Sequence, residues 1–127
     1  MSVQIGEGSF PLREHISERG NLTYVVAPRD WTTNRGFRGF PMDIKTLGLS
    51  HLPSSCIFAG HTLALERGET KNGNPKVSCR ETIDIRGEQF TAEVLMSITK
   101  SGDCWLIIKA LPGSRNESNR KFNLSDF

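Results

Sequence analysis

The sequence predicts a mainly β protein, a small antiparallel barrel or sandwich with at most one or two short helices. The stretch 57–111 contains four runs in which apolar and polar residues alternate and in which Val, Ile, Thr, Leu and Phe are frequent. A period of two is typical of strands, and these residue types favour them. Each separator between the runs contains glycine, which chain reversals often require. We therefore expect a four-stranded antiparallel meander on which the rest of the chain packs.

Length and composition indicate one domain at 1–112, followed by a polar, flexible C-terminal tail at 113–127. The formal charge of +2 is too small to predict nucleic-acid binding by itself, because binding needs a local basic face. The 3 cysteines do not make a disulfide framework, and no signal-peptide pattern or membrane-spanning apolar stretch is present. We therefore expect a cytoplasmic protein that does not associate with a membrane.

The first twenty residues predict one strand and one ambiguous segment. Residues 1–11 place Val3 and Ile5 on the same face of a short strand, which glycines and a proline then end. Residues 12–21 have two apolar residues four apart among charged ones. That spacing suits either two helical turns with a glycine cap or a polar loop with two apolar anchors.

Two further segments precede the meander. Residues 21–28 form an alternating run that is apolar on both faces, so we expect a strand that does not lie at the outer edge of a sheet. Residues 42–55 suit either one helical turn containing Ile44 and Leu47 or a short strand, and glycine and proline limit both.

Alternation within the meander predicts which side chains face the core. Glu81 interrupts the apolar face of the second strand, which suggests a bulge or twist that takes it out of the core. The fourth strand, 104–111, is apolar on both faces apart from Lys109, so it should be the most buried. The expected core residues are Ile57, Ala59, His61, Leu63 and Leu65 in the first strand, Val77, Cys79, Ile83 and Ile85 in the second, and Phe90, Ala92, Val94, Met96 and Ile98 in the third.

The loop 28–41 is the first candidate binding site. It repeats the order cation, glycine, aromatic, and it supplies both groups that single-stranded nucleic acids need. Bases stack on aromatic side chains at ~1–3 kcal/mol per base while cations follow the phosphates. The alternative is that Trp31 and Phe40 anchor the loop on the core. The candidate residues in this loop are Arg29, Trp31, Arg35, Phe37, Arg38 and Phe40.

A second basic feature follows the first strand of the meander. The turn contains Lys71 and Lys76, and Arg80 lies on the polar face of the next strand. Basic hairpins of this kind grip the ligand in many oligonucleotide-binding barrels. The K-x-G-x-P pattern is similar to the turn in small phage single-stranded DNA-binding proteins, over about twenty residues, and this resemblance implies DNA binding. The alternative is a solvated hairpin with no binding role.

Metal binding has less support in the sequence. Zinc accepts cysteine and histidine ligands, but the chain has no Cys-x₂-Cys pair. Alternation makes Cys79 and Cys104 resemble small buried hydrophobic residues instead. We therefore predict no metal and no cofactor. The residues that a zinc site would have to draw on are Cys56, His61, Cys79 and Cys104.

Enzymatic chemistry would need a nucleophile or acid within reach of a base. The only pairs that the sequence offers are Cys56 with His61 or His51, and Glu81, whose pKa burial would raise. Phosphate-binding glycine loops and hydrolase motifs are missing, so we predict a non-enzymatic protein.

The leading hypothesis is a β-barrel protein that binds single-stranded DNA or RNA with little sequence specificity. The alternative is a protein-interaction module, an accessory or inhibitory factor, that docks a partner through the 28–41 loop or a strand edge. The sequence leaves open whether the chain forms homo-oligomers.

Overall fold

The computed structural model describes residues 1–16, 20–27, 32–33, 36–37 and 39–113. These residues are mainly β, with antiparallel sheets and one short 3-10 helix at Ile44–Leu47, which confirms the predicted fold class. The strands are β1 Ser2–Ile5, β2 Gly8–Pro11, β3 Arg13–Ile16, β4 Leu22–Val25, β5 Thr32–Thr33, β6 Gly36–Phe37, β7 Phe40–Met42, β8 Ser55–Phe58, β9 His61–Ala64, β10 Glu66–Glu69, β11 Pro75–Ile85, β12 Glu88–Ile98 and β13 Cys104–Pro112. No helix among the described residues is long and apolar enough to cross a membrane.

Two large sheets and one two-stranded sheet make up the described fold. The smaller sheet has four strands in the order β2-β1-β8-β9. The larger has seven strands, in the order β10-β11-β12-β13-β4-β3, with β7 also paired to β13. The short strands β5 and β6 pair with each other. The last three strands of the predicted meander are present as β11, β12 and β13, which pair in that order. The predicted first strand, 57–65, lies instead in the smaller sheet as part of β8 and β9, and β10 pairs with β11 in its place.

Two bent segments join the sheets. Only Leu12 separates β2 in the smaller sheet from β3 in the larger, and only Leu65 separates β9 from β10. At each bend the backbone N–H donates to a carbonyl outside the strand, from Leu12 to Met1 at 3.0 Å and from Leu65 to Ser54 at 2.9 Å. Strands that pass from one sheet to the other form the corners of orthogonal β packings. The fold is therefore a sandwich with two barrel-like corners.

The core lies between the sheets. It is built from alternate residues of the long strands together with Val3, Ile5 and Phe58 of the smaller sheet. The rings of Tyr24 and Phe90 meet edge to face, with centroids 5.2 Å apart. Such alternation, with one side of each strand turned inward, is the pattern on which the fold class was predicted.

The 3-10 helix closes one end of the smaller sheet. The Asp43 side chain accepts a hydrogen bond from the backbone N–H of Lys45, and Ile44 and Leu47 are buried, as the helical alternative for this segment requires. The N–H of Glu7, in the β1–β2 turn, donates to the Leu47 carbonyl at 2.8 Å.

The two strands predicted before the meander are also present. The one predicted within 1–11 is β1, and the one predicted at 21–28 is β4, which lies one place in from the edge of the seven-stranded sheet.

Two predictions about the early elements are wrong. Residues 13–16 are a strand, neither helix nor loop, because Arg13 to Ile16 pair with β4 in the register Arg13↔Val25 to Ile16↔Leu22. The run predicted as one strand from 57 to 65 is interrupted by a two-residue turn at Ala59 and Gly60, whose φ angles are 48° and 84°. Because of this turn, Ile57 points outward and is 41% exposed.

The structure corrects two details of the meander. Glu81 is exposed, as predicted, but no bulge takes it out of the core, because β11 pairs with β12 without interruption from Lys76↔Ser97 to Ile85↔Glu88. The most buried strand is β12 rather than β13, since eight consecutive residues of β12 are buried on both faces. Its second face includes the charged residue Glu93, which alternation had assigned to a polar surface.

Candidate nucleic-acid interface

Most of the predicted aromatic loop lies outside the described residues. This applies to Arg29, Trp31, Arg35 and Arg38, while Phe37 belongs to β6 with its side chain not described. The described ends of the loop are both anchored on β13. At one end the N–H of Val26 donates to the carbonyl of Ile108 at 3.0 Å, and at the other β7 pairs with residues 104–106. The loop therefore starts and ends on the seven-stranded sheet.

Phe40 is not available for base stacking. It is 4% exposed, belongs to the core and pairs with Leu106 of β13. The stacking role predicted for Phe40 is therefore wrong, and the alternative of a core anchor holds for this residue. Phe40 follows a glycine in the repeated motif, yet its strand pairing turns the ring inward.

The β10–β11 hairpin forms one edge of the seven-stranded sheet. All four residues of β10 are exposed, and Lys71 in the turn is exposed as well. The turn is held by hydrogen bonds from the N–H of Thr70 to the Asn74 carbonyl, 2.8 Å, and from the N–H of Asn74 to the Thr70 hydroxyl, 3.1 Å. Gly73, at φ +81°, supplies the left-handed conformation. Lys76 is the second residue of the long strand β11 and is half-buried.

Strand register places further charged side chains on the outer face, defined here as the side of the seven-stranded sheet that turns away from the four-stranded sheet. Residues directly opposite each other on paired strands share a face. Arg80 is opposite Glu93, and Glu93 is opposite Lys109. The row that results, called the charged row, is Arg80, Glu93, Lys109, Val25 and Arg13. Nearer the start of β11, on the same face, the register gives a second row containing Lys76, Ser97 and Trp105.

The sequence alone did not single out Lys109, Arg13 or Trp105 as candidate site residues. Arg13 was assigned to an ambiguous segment, and its guanidinium donates to the Ala27 carbonyl, immediately before the aromatic loop. Lys109 was noted only as the exception in an apolar strand. Alternation within each strand shows which residues share a face of that strand. It can identify these residues as neighbours only once the pairing register of the strands is known.

Glu93 is the electrostatic centre of the charged row. Its side chain is 0% exposed, and its Oε1 lies 3.4 Å from Nε of Arg80, whose side chain is 14% exposed. Neither carboxylate oxygen has a hydrogen-bond partner among the described residues. Burial raises the pKa of Glu93 to about 7, while Lys109 and Arg80 act in the opposite direction. Burial lowers the pKa of Lys109, which Glu93 partly offsets.

Glu81, which alternation placed on the apolar side of its strand, is exposed and lies at the rim of a cleft. The cleft has a volume of about 500 Å³ and separates β9 from β11; its lining includes His61, Leu63, Glu81 and Thr82. One end is bridged by His61, whose Nε2 is 3.1 Å from the Asp84 carbonyl.

The cysteines do not assemble the zinc site that was considered. In the described part of the chain, no three His, Cys, Asp or Glu side chains come together as a metal site would require. Cys104 is buried, and burial raises its pKa to about 11. Cys56 and Cys79 are also free and buried, and both belong to the core.

No known protein family, curated protein sequence or solved structure matches this chain. The function is therefore inferred from the residues and geometry of the chain itself.

Proposed function

We propose that the protein binds single-stranded nucleic acid, with little sequence preference, along the exposed β10–β11 hairpin and the adjoining part of the seven-stranded sheet. The observation that carries this proposal is that the hairpin, with exposed Lys71 in its turn, adjoins a row of cations on one face of the sheet. Arg80, Lys109 and Arg13 fall in one row, and Lys76 lies four residues from Arg80 on the same strand. Such a stripe can follow a phosphate backbone without reading its bases.

The spacing of these cations suits a flexible single strand. Neighbouring strands are about 4.8 Å apart and residues rise about 3.4 Å each, so Arg80 and Lys109 start about 10 Å apart and Lys76 and Arg80 about 14 Å. Lysine and arginine side chains can adjust these distances by several ångströms. Sequence-independent binding does not require the cations to match the phosphate spacing more closely, because every nucleotide carries the same phosphate.

Trp105 supplies the aromatic component of the proposed site. It is half-buried, and Ser97 alone separates it from Lys76 across the strands. An indole ring of this kind can stack on a base while its neighbours contact phosphates. The ends of the 28–41 loop are anchored on the same strand as Trp105, so the predicted loop residues Arg29, Trp31, Arg35, Phe37 and Arg38 remain part of the proposal.

Binding to a fluorescently labelled oligothymidine, followed by anisotropy over a salt series, tests the proposal. We expect binding at ~50 mM salt and a linear fall of log affinity with log salt. A Lys71→Gln, Lys76→Gln double variant should lower that slope by roughly 1.4, since each phosphate contact on a single strand contributes about 0.7. Lys45→Gln is the matched control, because Lys45 is an exposed lysine of the 3-10 helix.

Two outcomes would overturn the proposal. One is the absence of binding to DNA or RNA at ~50 mM salt. The other is an equal loss of slope in the control and the double variant, because the charge effect would then be general. A protein partner recovered from lysate after nuclease treatment, together with no oligonucleotide binding, would instead favour the protein-interaction module.

A further inference from the structure

The second half of β11 has an open edge. On the side away from β12, β10 pairs with β11 only at residues 75–78. Leu65 bends the chain between β10 and β9, and β9 is the last strand of the smaller sheet. Among the described residues, no strand pairs with 79–85 of β11 on this side, and the cleft of about 500 Å³ separates this edge from β9.

The turn that joins β11 to β12 shows which backbone groups point to the cleft. Its two residues, 86–87, have φ angles of 54° and 83°, as in a type I′ turn, whose flanking strand residues are hydrogen-bonded to each other. Because the direction of bonding alternates along an antiparallel strand, Asp84 and Thr82 turn their N–H and C=O groups away from β12. The 3.1 Å distance between Nε2 of His61, on β9, and the Asp84 carbonyl oxygen agrees with this direction.

The edge of β9 is open in the same way. The turn at 59–60 also has two positive φ angles, so the same alternation turns the backbone groups of Thr62 and Ala64 away from β8. Both residues line the cleft, as does Thr82. Within the described part of the chain, no backbone hydrogen bond links β9 to β11. Two strand edges thus face one opening, and edges of this kind are templates for an added strand.

We propose that this cleft binds one extended segment of a partner protein, which adds to β11 as an antiparallel strand at Thr82. In strand addition, main-chain hydrogen bonds supply affinity and contacts of alternate side chains supply specificity. The cleft volume of about 500 Å³ lies within the range of ~300–1,000 Å³ that ligand sites commonly have. The inference does not rest on the proposed nucleic-acid binding, because it uses the edge of β11 rather than its row of cations.

The side chains along the cleft define the chemistry of the added segment. Residues directly opposite each other on paired strands share a face. The partner residue opposite Glu81 meets an exposed carboxylate, so it is basic. The partner residue opposite Ile83 meets the buried side chains of Ile83 and Leu63, so it is apolar. Since the added strand runs antiparallel to β11, the apolar residue comes first and the basic residue follows two positions later.

Nuclear magnetic resonance of the ¹⁵N-labelled full chain tests the proposal. The probe is the capped peptide acetyl-Ser-Val-Thr-Lys-Ser-amide, whose valine lies opposite Ile83 and whose lysine lies opposite Glu81. At ~1 mM peptide we expect saturable shifts of the Thr82 and Asp84 amide signals. The same peptide N-methylated at its central threonine lacks the N–H that pairs with Thr82, so it should cause no shift.

Variants of the edge identify the binding mode. Thr82→Pro removes the N–H that points to the cleft and leaves the ladder to β12 intact, so it should abolish binding while keeping a native circular-dichroism spectrum. Thr82→Val is the matched control and should bind as the parent does, because it keeps the N–H. Glu81→Gln should lower the affinity for the lysine peptide by up to about fivefold.

Three outcomes would overturn the proposal. One is the absence of amide shifts with the lysine peptide, and another is an equal shift with the N-methylated peptide, because binding would then not use the backbone. The third is a shift of the same signals with protein concentration alone, because a second copy of the chain would then occupy the edge. If Thr82→Pro does not fold, the comparison of the two peptides on the parent protein still decides. An unchanged affinity in Glu81→Gln would overturn the assignment of the basic residue.

Discussion

Oε1 of Glu93 lies 3.4 Å from Nε of Arg80 across β11 and β12, and the carboxylate of this pair is completely buried. A buried ion pair is stabilising only where its attraction exceeds the cost of removing both charges from water. The pKa of about 7 for Glu93 indicates that, for the carboxylate, desolvation exceeds the attraction of Arg80 and Lys109. Protonation of Glu93 therefore changes both the stability of the fold and the charge of the outer face.

Folding stability should depend on pH through Glu93. The folded-state pKa of about 7 exceeds the ordinary value of 4.5, so between these values the folded chain holds a proton that the unfolded chain has lost. The contribution is fully present below pH 4.5 and is lost as pH rises through 7. This amounts to about 3 kcal/mol of the free energy of unfolding.

The Glu93→Gln variant isolates this contribution from that of the other carboxyl groups. The substitution replaces the carboxyl group with a neutral amide of nearly the same shape. Urea unfolding should therefore give nearly equal free energies for the two proteins near pH 4 and a more stable variant, by up to about 3 kcal/mol, near pH 8. A variant that is less stable by the same amount at both pH values would show instead that the charged pair stabilises the fold.

Nucleic-acid binding should also strengthen as the pH falls through 7. Protonation of Glu93 removes the one negative charge of the charged row, which leaves Arg80, Lys109 and Arg13. An extra effective charge near a protein surface changes a binding free energy by roughly 1 kcal/mol, or about fivefold in affinity. We expect this increase between pH 8 and pH 6 in the oligothymidine assay.

The control for that titration is Glu93→Gln, measured in a His15→Gln background that removes the imidazole on the same face. Affinity in this double variant should be high and should not change between pH 6 and 8. A pH response that survives both substitutions would contradict the assignment to Glu93.

Substitutions of Trp105 and Phe40 should distinguish a side chain that stacks on bases from one that packs in the core. Trp105→Leu keeps an apolar side chain and removes the indole, so affinity for oligothymidine should fall by ~1–3 kcal/mol with an unchanged salt slope. Phe40→Ala should leave the affinity of the folded protein unchanged and lower the free energy of unfolding by ~3–5 kcal/mol, because Phe40 is in the core. Anisotropy and urea unfolding on the same samples measure both. Equal affinities for Trp105→Leu and the parent would remove Trp105 from the site.

The strands that the sequence predicted well are those whose signal is local. Alternation and turn residues identify β11, β12 and β13, because neither depends on what lies beside the strand. The sequence could not reveal β3, because its charged residues become a strand only through pairing with β4. Propensity is a weak determinant where pairing supplies the hydrogen bonds.

The candidate site was harder to predict because it is defined by pairing across strands. Arg80 was identified from its own strand, but its neighbours Glu93 and Lys109 come from two other strands and meet it only in the observed register. Glu81 and Glu93 show that alternation within one strand also fails to predict which side chains are buried. Alternation placed Glu81 on the apolar side of β11 and Glu93 on the polar side of β12, whereas Glu81 is exposed at a cleft and Glu93 is enclosed. What encloses a strand face is a property of the whole fold.

The contact between the β1–β2 turn and the 3-10 helix should depend on the absence of a side chain at Gly6. This residue has φ +57°, and a Cβ there would clash with the Leu47 carbonyl, which accepts the hydrogen bond from Glu7. Gly6→Ala therefore combines backbone strain with displacement of that carbonyl, and we expect a loss of roughly 2–4 kcal/mol in urea unfolding. Gly60→Ala is the matched control: its φ is +84°, but nothing lies within 4 Å of the added Cβ, so only strain of about 1 kcal/mol should result. Equal losses in the two variants would mean that the helix contact does not contribute.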